Sequence, residues 1–344
     1  MLQEEKMSFA GNNIGIDLGT SNTLVYVNKK GVIINEPSVV AINTNNNEVK
    51  AIGMDAKEMQ GKTPYNIETI RPLRDGVIAD FNVAKVLIKY FIDKALNNNK
   101  FARPKICICV PVGVTSIERK AVEDIAQNAG ARVIQLVEEP KAAAIGAGID
   151  VAAAIGNMVV DIGGGTTEIA VISLGGIVVS DSLRLAGDKI DIEVKEYVKR
   201  KYKLDIGIKS AEIIKTKLGN ACEEYYTTNI EGIDNSEKIT TINTTGIDMV
   251  TGLPRTIELT AEEIRESMSE TINNIVSGVK RCLERTPPEL SSDIYCNGIY
   301  LTGGGALIKG LDLFMQKETG LIVRVAESPL ECVALGAGKI CEDM

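Results

Sequence analysis

The chain has no histidine in its 344 residues. Without an imidazole there is no Ser–His–Asp triad, no histidine-ligated zinc and no histidine base. Any proton acceptor must be a carboxylate, lysine, tyrosine or cysteine. No Cys-x-x-Cys pair occurs among the seven cysteines. Cys107 and Cys109 alternate in the apolar run ICICV, which points both to one face of a strand and reads as reduced core thiols. No apolar run approaches the ~20 residues that span a bilayer. The opening MLQEEKMSFAGNN lacks the apolar stretch of a secretory signal. A cytoplasmic protein is expected, with any membrane contact peripheral. Basic charge is also scarce: 38 Lys and Arg stand against 46 Asp and Glu, a net charge of −8. Phosphate-backbone contacts need clustered cations, so no nucleic-acid partner is expected. The basic run KEYVKRKYK at residues 195–203 reads as the solvated face of a helix.

What is present is ordinary globular material, 44% hydrophobic and 24% charged, in a length that suits two domains. The chain repeats itself weakly. Residues 14–27 read IGIDLGTSNTLVYV and residues 158–171 read MVVDIGGGTTEIAV, aligning Asp17 with Asp161, Gly19 with Gly163 and Thr23 with Thr167. Each reads as a β-hairpin with a Gly-rich turn after an Asp. A second pair follows: VEEPKAAAIGAG at 137–148 and AESPLECVALGAG at 326–338. Each follows a β-like run, opens with an acid and a proline, and continues as a small-residue helix. Two copies imply two similar α/β domains facing each other. Their expected bounds are 1–150 and 151–344, with insertions at 31–70 and 180–260. The last helix, about 328–344, is expected to cross back to the first domain. Helices at 83–96, 116–129, 261–284 and near 308–316 supply the covering layers.

The hairpin turns carry the chemistry. In the first, Asp17 to Thr23 (DLGTSNT), glycine lets the backbone turn so that amides converge on a phosphate, and the side chains of Thr20, Ser21 and Asn22 add donors. An Asp at a strand end can hold Mg²⁺ through water. Alone, such a turn is more often a plain hairpin. The second turn has three consecutive glycines, Gly163, Gly164 and Gly165, followed by Thr166. Glycines inside a hairpin weaken it, and close backbone approach to a ligand is the natural compensation. Two such loops could clamp a polyphosphate from both sides. A third cluster, Gly303, Gly304, Gly305, Ala306 and Leu307, lies between a strand and a helix, where a ring or ribose can rest on backbone. None of the three is a Walker A or a Rossmann fingerprint.

These motifs together resemble the actin, sugar kinase and DnaK-type chaperone superfamily. More closely, the chain resembles the MreB family from end to end. The stretches that carry it are NEPSVVAI (35–42), IRPLRDGVIADF (70–81), EEPKAAAIGAG (138–148), DIGGGTTEIAVISLGG (161–176) and LTGGGALIKGLD (301–312). The resemblance implies an actin-like, duplicated ribonuclease H-like α/β fold with nucleotide between two domains. It implies ATP or ADP with Mg²⁺, the metal organised through water by Asp17 and Asp161. Thr20, Ser21, Asn22 and Gly163 to Thr166 would face the phosphates. Glu212 and Lys215 would sit near the adenosine, with Gly303 to Leu307 opposite. On the residues alone Glu139 reads first as a charge suited to a helix N-terminus. The resemblance instead makes Glu139 the residue that acts on the attacking water, helped by Thr166 and Asp161. Lys141 departs from the usual apolar residue there, and a cation two residues on is expected to lower the Glu139 pKa and slow hydrolysis.

The resemblance further implies head-to-tail self-assembly into cytoskeletal filaments that govern cell shape, acting with other cell-shape proteins at the inner face of the cytoplasmic membrane. The N-terminus is a weak amphipathic segment. The loop at 97–104 (NNNKFARP), with Phe101 between Lys100 and Arg103, is the alternative membrane contact, and an ordinary exposed loop is the other reading of it. The rival functions within the superfamily are a chaperone-like ATPase and a small-molecule kinase. The first would need a further C-terminal domain, the second a sugar pocket with its own Asp.

Overall fold

A computed structural model describes residues 13–99, 102–227 and 239–344. The chain opens with an antiparallel meander, β1 (Ile14–Leu18), β2 (Asn22–Val27) and β3 (Gly31–Pro37). Alternation sorts β1: Ile14, Ile16 and Leu18 face one core, and Gly15 and Asp17 face the other side. Three strands, β4 (Val40–Asn43), β5 (Glu48–Ile52) and β6 (Ile67–Ile70), then form a separate small sheet with α1 (Met54–Met59) beside it. A short hairpin of β7 (Leu73–Arg74) and β8 (Val77–Ile78) leads into α2 (Phe81–Ala95), whose N-terminus is capped by Asp80. Next come β9 (Lys105–Val110), α3 (Ser116–Asn128) and β10 (Val133–Glu138). A Thr115–Glu118 capping box starts α3. The first sheet runs β10-β9-β1-β2-β3, with β9 and β10 parallel to β1.

After α4 (Glu139–Gly146) the pattern recurs as β11 (Asn157–Ile162), β12 (Thr167–Ser173) and β13 (Gly176–Leu183). The second insertion comprises α5 (Gly187–Tyr202), β14 (Leu204–Asp205), α6 (Ile208–Leu218), α7 (Glu224–Thr227), β15 (Thr241–Asp248) and β16 (Pro254–Thr260). The long α8 (Ala261–Glu284) returns to the sheet, followed by α9 (Pro288–Asn297), β17 (Ile299–Thr302), a 3-10 turn (Gly304–Leu307), α10 (Leu311–Thr319), β18 (Val323–Val325) and α11 (Cys332–Glu342). The second sheet runs β13-β12-β11-β17-β18, the same order as the first.

Three details differ from the sequence reading. Residues 31–37 and 180–183 are edge strands of the two main sheets rather than parts of the insertions. Tight turns after β2 and β12 let each fold straight back onto its neighbour. The helix expected from 308 starts at Leu311, because Gly310 at its N-cap takes the left-handed conformation (φ 69°).

The two lobes exchange helices. α4 leaves the first sheet yet packs on β11 and β12, and α11 leaves the second yet packs on β1 and β9. The two helices cross in van der Waals contact. A Cβ on Gly146 would lie 1.8 Å from the Cys332 carbonyl oxygen, and one on Gly336 would lie 1.9 Å from that of Ala142. Cys107 and Cys109 are buried here among Ala142, Ala143, Val333 and Ala337. Burial pushes the Cys107 thiol up to about 12, so it stays protonated. No helix among the described residues is long and apolar enough to cross a membrane. Phe101, and most of the polar stretch 227–245, lie outside the described residues.

Candidate functional site

The turns after Asp17 and Asp161 lie at equivalent ends of the two hairpins and face each other. A Cβ on Gly164 would sit 2.1 Å from Ser21 Oγ, and one on Gly165 would sit 2.6 Å from Thr20 Oγ1. Only glycine permits that approach of one lobe's backbone to the other's hydroxyls. The cleft between them has a volume of about 340 Å³, within the range of small-molecule sites. Its walls include Asp17, Thr20, Ser21, Asn22, Glu139, Asp161, Gly163, Gly164, Gly165 and Thr166. Glu212 and Lys215 of α6 close one side, and Gly303, Gly304, Gly305 and Leu307 the other. Of the candidate catalytic, metal and nucleotide-binding residues named from the sequence, Ala306 alone does not line the cleft; it is buried in the second lobe's core.

The cleft floor is acidic. Glu139 stands at the first position of α4 and is 7% exposed; Asp161 is 6% exposed. The side chain of Asp161 accepts a 2.8 Å hydrogen bond from Thr302 Oγ1. Burial raises the Asp161 carboxyl to about 6, the Thr302 bond opposing it. Burial, then the Asp161 charge, raises Asp17 to about 8. Burial drives Glu139 well above the carboxylate range, and the charges of Glu168, Asp17 and Asp161 act in the same direction. The expectation that Lys141 lowers Glu139 is therefore corrected. Two residues on a helix are about 200° apart, so Lys141 points away from Glu139. Its field falls on Glu138, which Arg119 also binds at 2.8 Å.

Several contributors were not assigned to the site from the sequence. Asp188, at the start of α5, accepts from Ser21 Oγ at 3.1 Å and from Arg71 Nη1 at 2.9 Å, joining both lobes. Its amide donates to the Gly164 carbonyl, which sets the positive end of the α5 dipole behind the triple-glycine turn. Lys57 of α1 reaches across to Glu212 at 2.8 Å. Buried Asp191 holds Lys215 at 2.8 Å. Leu330 and Pro329, in the turn before α11, add apolar wall beside Gly303 to Gly305. A Gly-Asp pair opening a periodic helix was the one available hint for Asp188.

Among the described residues no lysine or arginine is paired with Asp17, Glu139 or Asp161. No three acidic or thiol groups there converge closely enough to hold a metal directly. An all-oxygen, uncompensated acidic floor that does not form a direct cage fits a hydrated Mg²⁺.

The profile of the MreB/Mbl protein family matches residues 11–344. The chain is 50% identical over 332 residues to the cell shape-determining protein Mbl of Bacillus cereus, covering 96% of each. It is 48% identical over 348 residues to the cell shape-determining protein MreB of Escherichia coli, covering 99% of this chain and 96% of that one. Among solved structures, MreB5 of Spiroplasma citri bound to ADP superposes with a TM-score of 0.88 at 37% identity, covering 97% of both chains. The same protein has been solved with AMPPNP. The MamK double helical filament shares the fold at a TM-score of 0.80 and 20% identity, over 97% of this chain and 99% of that one.

Proposed function

The chain belongs to the MreB/Mbl protein family, and on that premise we propose that it is a polymerising bacterial actin homologue that governs cell shape, binding ATP with Mg²⁺ between its lobes and hydrolysing it slowly. The observation that carries this is the facing pair of glycine loops over an uncompensated acidic floor. Thr20, Ser21, Asn22 and the amides of Gly163 to Thr166 would receive phosphate oxygens. Glu212 and Lys215 on one wall, and Gly303 to Leu307 on the other, suit an adenosine. Asp17 and Asp161 would hold Mg²⁺ through water, and the metal would neutralise phosphate charge during transfer. Glu139 faces the same space and orients the attacking water with Thr166. Burial and the charges of Glu168, Asp17 and Asp161 raise the Glu139 pKa, which favours the protonated form relative to an exposed carboxylate.

Head-to-tail contacts are heterologous and extend when their rotation does not close a ring. Filaments at the inner face of the membrane, acting with other cell-shape proteins, are part of the same reading. Its membrane element is the Phe101 loop, and a Phe101→Ser change is expected to lower co-sedimentation with anionic liposomes; unchanged binding would remove that loop. The central test is high-speed pelleting with ATP–Mg²⁺, with ADP and without nucleotide, while phosphate release is followed. ATP-dependent pelleting with release is expected. Protein that stays in the supernatant at every concentration would overturn the filament reading, and absent phosphate release would overturn the ATPase.

A further inference from the structure

One buried acid beside the cleft has no part in the scheme above. Glu168, the second residue of the return strand β12, lies opposite Asp161 and is 0% exposed. No cation pairs with it among the described residues. Its two oxygens are used in different lobes. Oε1 accepts from Ser182 Oγ of β13 at 2.6 Å, within its own sheet. Oε2 accepts from the amide of Val112 at 3.2 Å, just past the end of β9 in the other lobe.

The Val112 end of this bond leads directly to Glu139. Strands β9 and β10 pair in parallel with Val110 opposite Glu138, so the exit of β9 lies beside the residue where β10 turns into α4. The segment also touches the second lobe next to Thr166. A Cβ on Gly76 would meet Pro111 Cγ at 2.5 Å and Thr166 Cγ2 at 3.3 Å, so both residues close around the same point. Of the charges acting on Glu139, that of Glu168 is the largest.

We propose that Glu168 is a positioning residue: by bonding Ser182 on one lobe and the Val112 amide on the other, it sets the β9 exit, and with it Glu139, in register with Thr166 across the cleft. A carboxylate can accept both bonds from a fixed place, and its burial excludes the water that would otherwise satisfy the Val112 amide. Displacement of Glu139 by about 1 Å would cost turnover on the order of a hundredfold without loosening the nucleotide.

This rests on reading the cleft as an ATPase site, so the test includes a measurement that needs no nucleotide. Glutamine can keep both contacts, its oxygen facing the Val112 amide and its NH₂ facing the Ser182 hydroxyl, whereas alanine keeps neither. Hydrogen exchange of the Val112 amide in nucleotide-free protein is expected to speed up at least tenfold in Glu168→Ala and to stay near the parent rate in Glu168→Gln. With ATP–Mg²⁺, Glu168→Ala is expected to lower kcat at least tenfold with KM within threefold, and Glu168→Gln to recover most of that loss. Should Glu168→Ala not fold, Ser182→Ala frees one end of the carboxylate and is expected to give intermediate values of both readouts. Unchanged Val112 exchange in Glu168→Ala, or in Ser182→Ala if that variant stands in, would overturn the proposal. So would a rise in KM with kcat intact, or a glutamine variant as slow as alanine. A parent protein that releases no phosphate refutes the ATPase reading instead, and the exchange data then still decide whether Glu168 joins the lobes.

Discussion

At the scale of single residues, the chemistry lies in buried carboxylates held without cations. Transferring such a group from water disfavours its charged form, so the nucleotide-free protein keeps protons that its unfolded chain would release. Glu139→Gln removes the proposed base while preserving shape. Phosphate release should fall at least about a hundredfold, with ATP affinity within about threefold, as measured by single-turnover release and nucleotide titration. The same substitution should reveal a cost in stability. The folded-state pKa of Glu139 is raised and that of Glu168 stands at about 7. Groups raised in this way contribute stability below their unfolded value near 4.5, and that contribution is lost as pH rises through the folded value. With no histidine in the chain, no imidazole titration overlies this window. Thermal unfolding in the absence of nucleotide and metal should therefore show a lower Tm at pH 8 than at pH 5.5. Glu139→Gln should raise the pH 8 value by about 3 °C or more and raise the pH 5.5 value by clearly less. A parent Tm that rises from pH 5.5 to 8 would contradict the assignment.

Among the elements, the crossing of α4 and α11 is the mechanical centre. Each helix grows from one lobe and is seated on the other, so the cleft floor and the interlobe core share the same backbone. The small residues of AAAIGAG and ALGAG make this close approach feasible, and any larger side chain must push the helices apart. Gly336→Ala places a methyl 1.9 Å from a carbonyl oxygen that cannot move alone. A loss of about 1–3 kcal/mol is expected by denaturant unfolding, together with weaker nucleotide binding because Glu139 rides on α4. A comparable loss should come from a distant cap without that second effect. Thr260 caps α8 in a capping box with Glu263, and Thr260→Ala is expected to cost about 1 kcal/mol while leaving nucleotide affinity unchanged.

For the whole molecule, the lobes meet along the cleft through Lys57–Glu212, Arg71–Asp188 and Ser21–Asp188. These are partly exposed contacts, and single ones of this kind are worth little. Their arrangement matters more than their sum, because Glu212 and Asp188 also line the cleft. A ligand bound there would engage residues that already tie the lobes together, which links occupancy to closure and closure to the surfaces available for assembly. Lys57→Ala or Arg71→Ala alone should shift the critical concentration for ATP-dependent pelleting by about threefold or less, and the pair together by clearly more than the product of the single effects. Strict additivity would mean that the two contacts act independently and that no shared closed state exists.

Much of this was legible along the chain because it is local. Alternation put Cys107 and Cys109 on one face of β9, and an acid with a proline marked the start of α4. Glycines beside an Asp marked both hairpin turns, and family membership and the actin-like fold followed from the motifs in order. The places where sequence reading went astray are places where distance along the chain misleads. Lys141 is two residues from Glu139 yet faces away, and the charges that do act on Glu139 come from Asp17, Asp161 and Glu168. Ala306 sits inside the third glycine cluster yet turns into the core. Arg71 and Asp188 are 117 positions apart, and Val112 and Glu168 are 56 apart, with no periodicity to announce either pair. Hydrophobic period, capping and turn chemistry act over a few residues, so the amino-acid order alone determined the elements, their duplication and the glycine loops. Burial and Coulomb interaction depend on what surrounds a group in three dimensions. Only the tertiary structure could therefore decide which charges act on Glu139, that α4 seats on the second lobe and which side chains join the lobes.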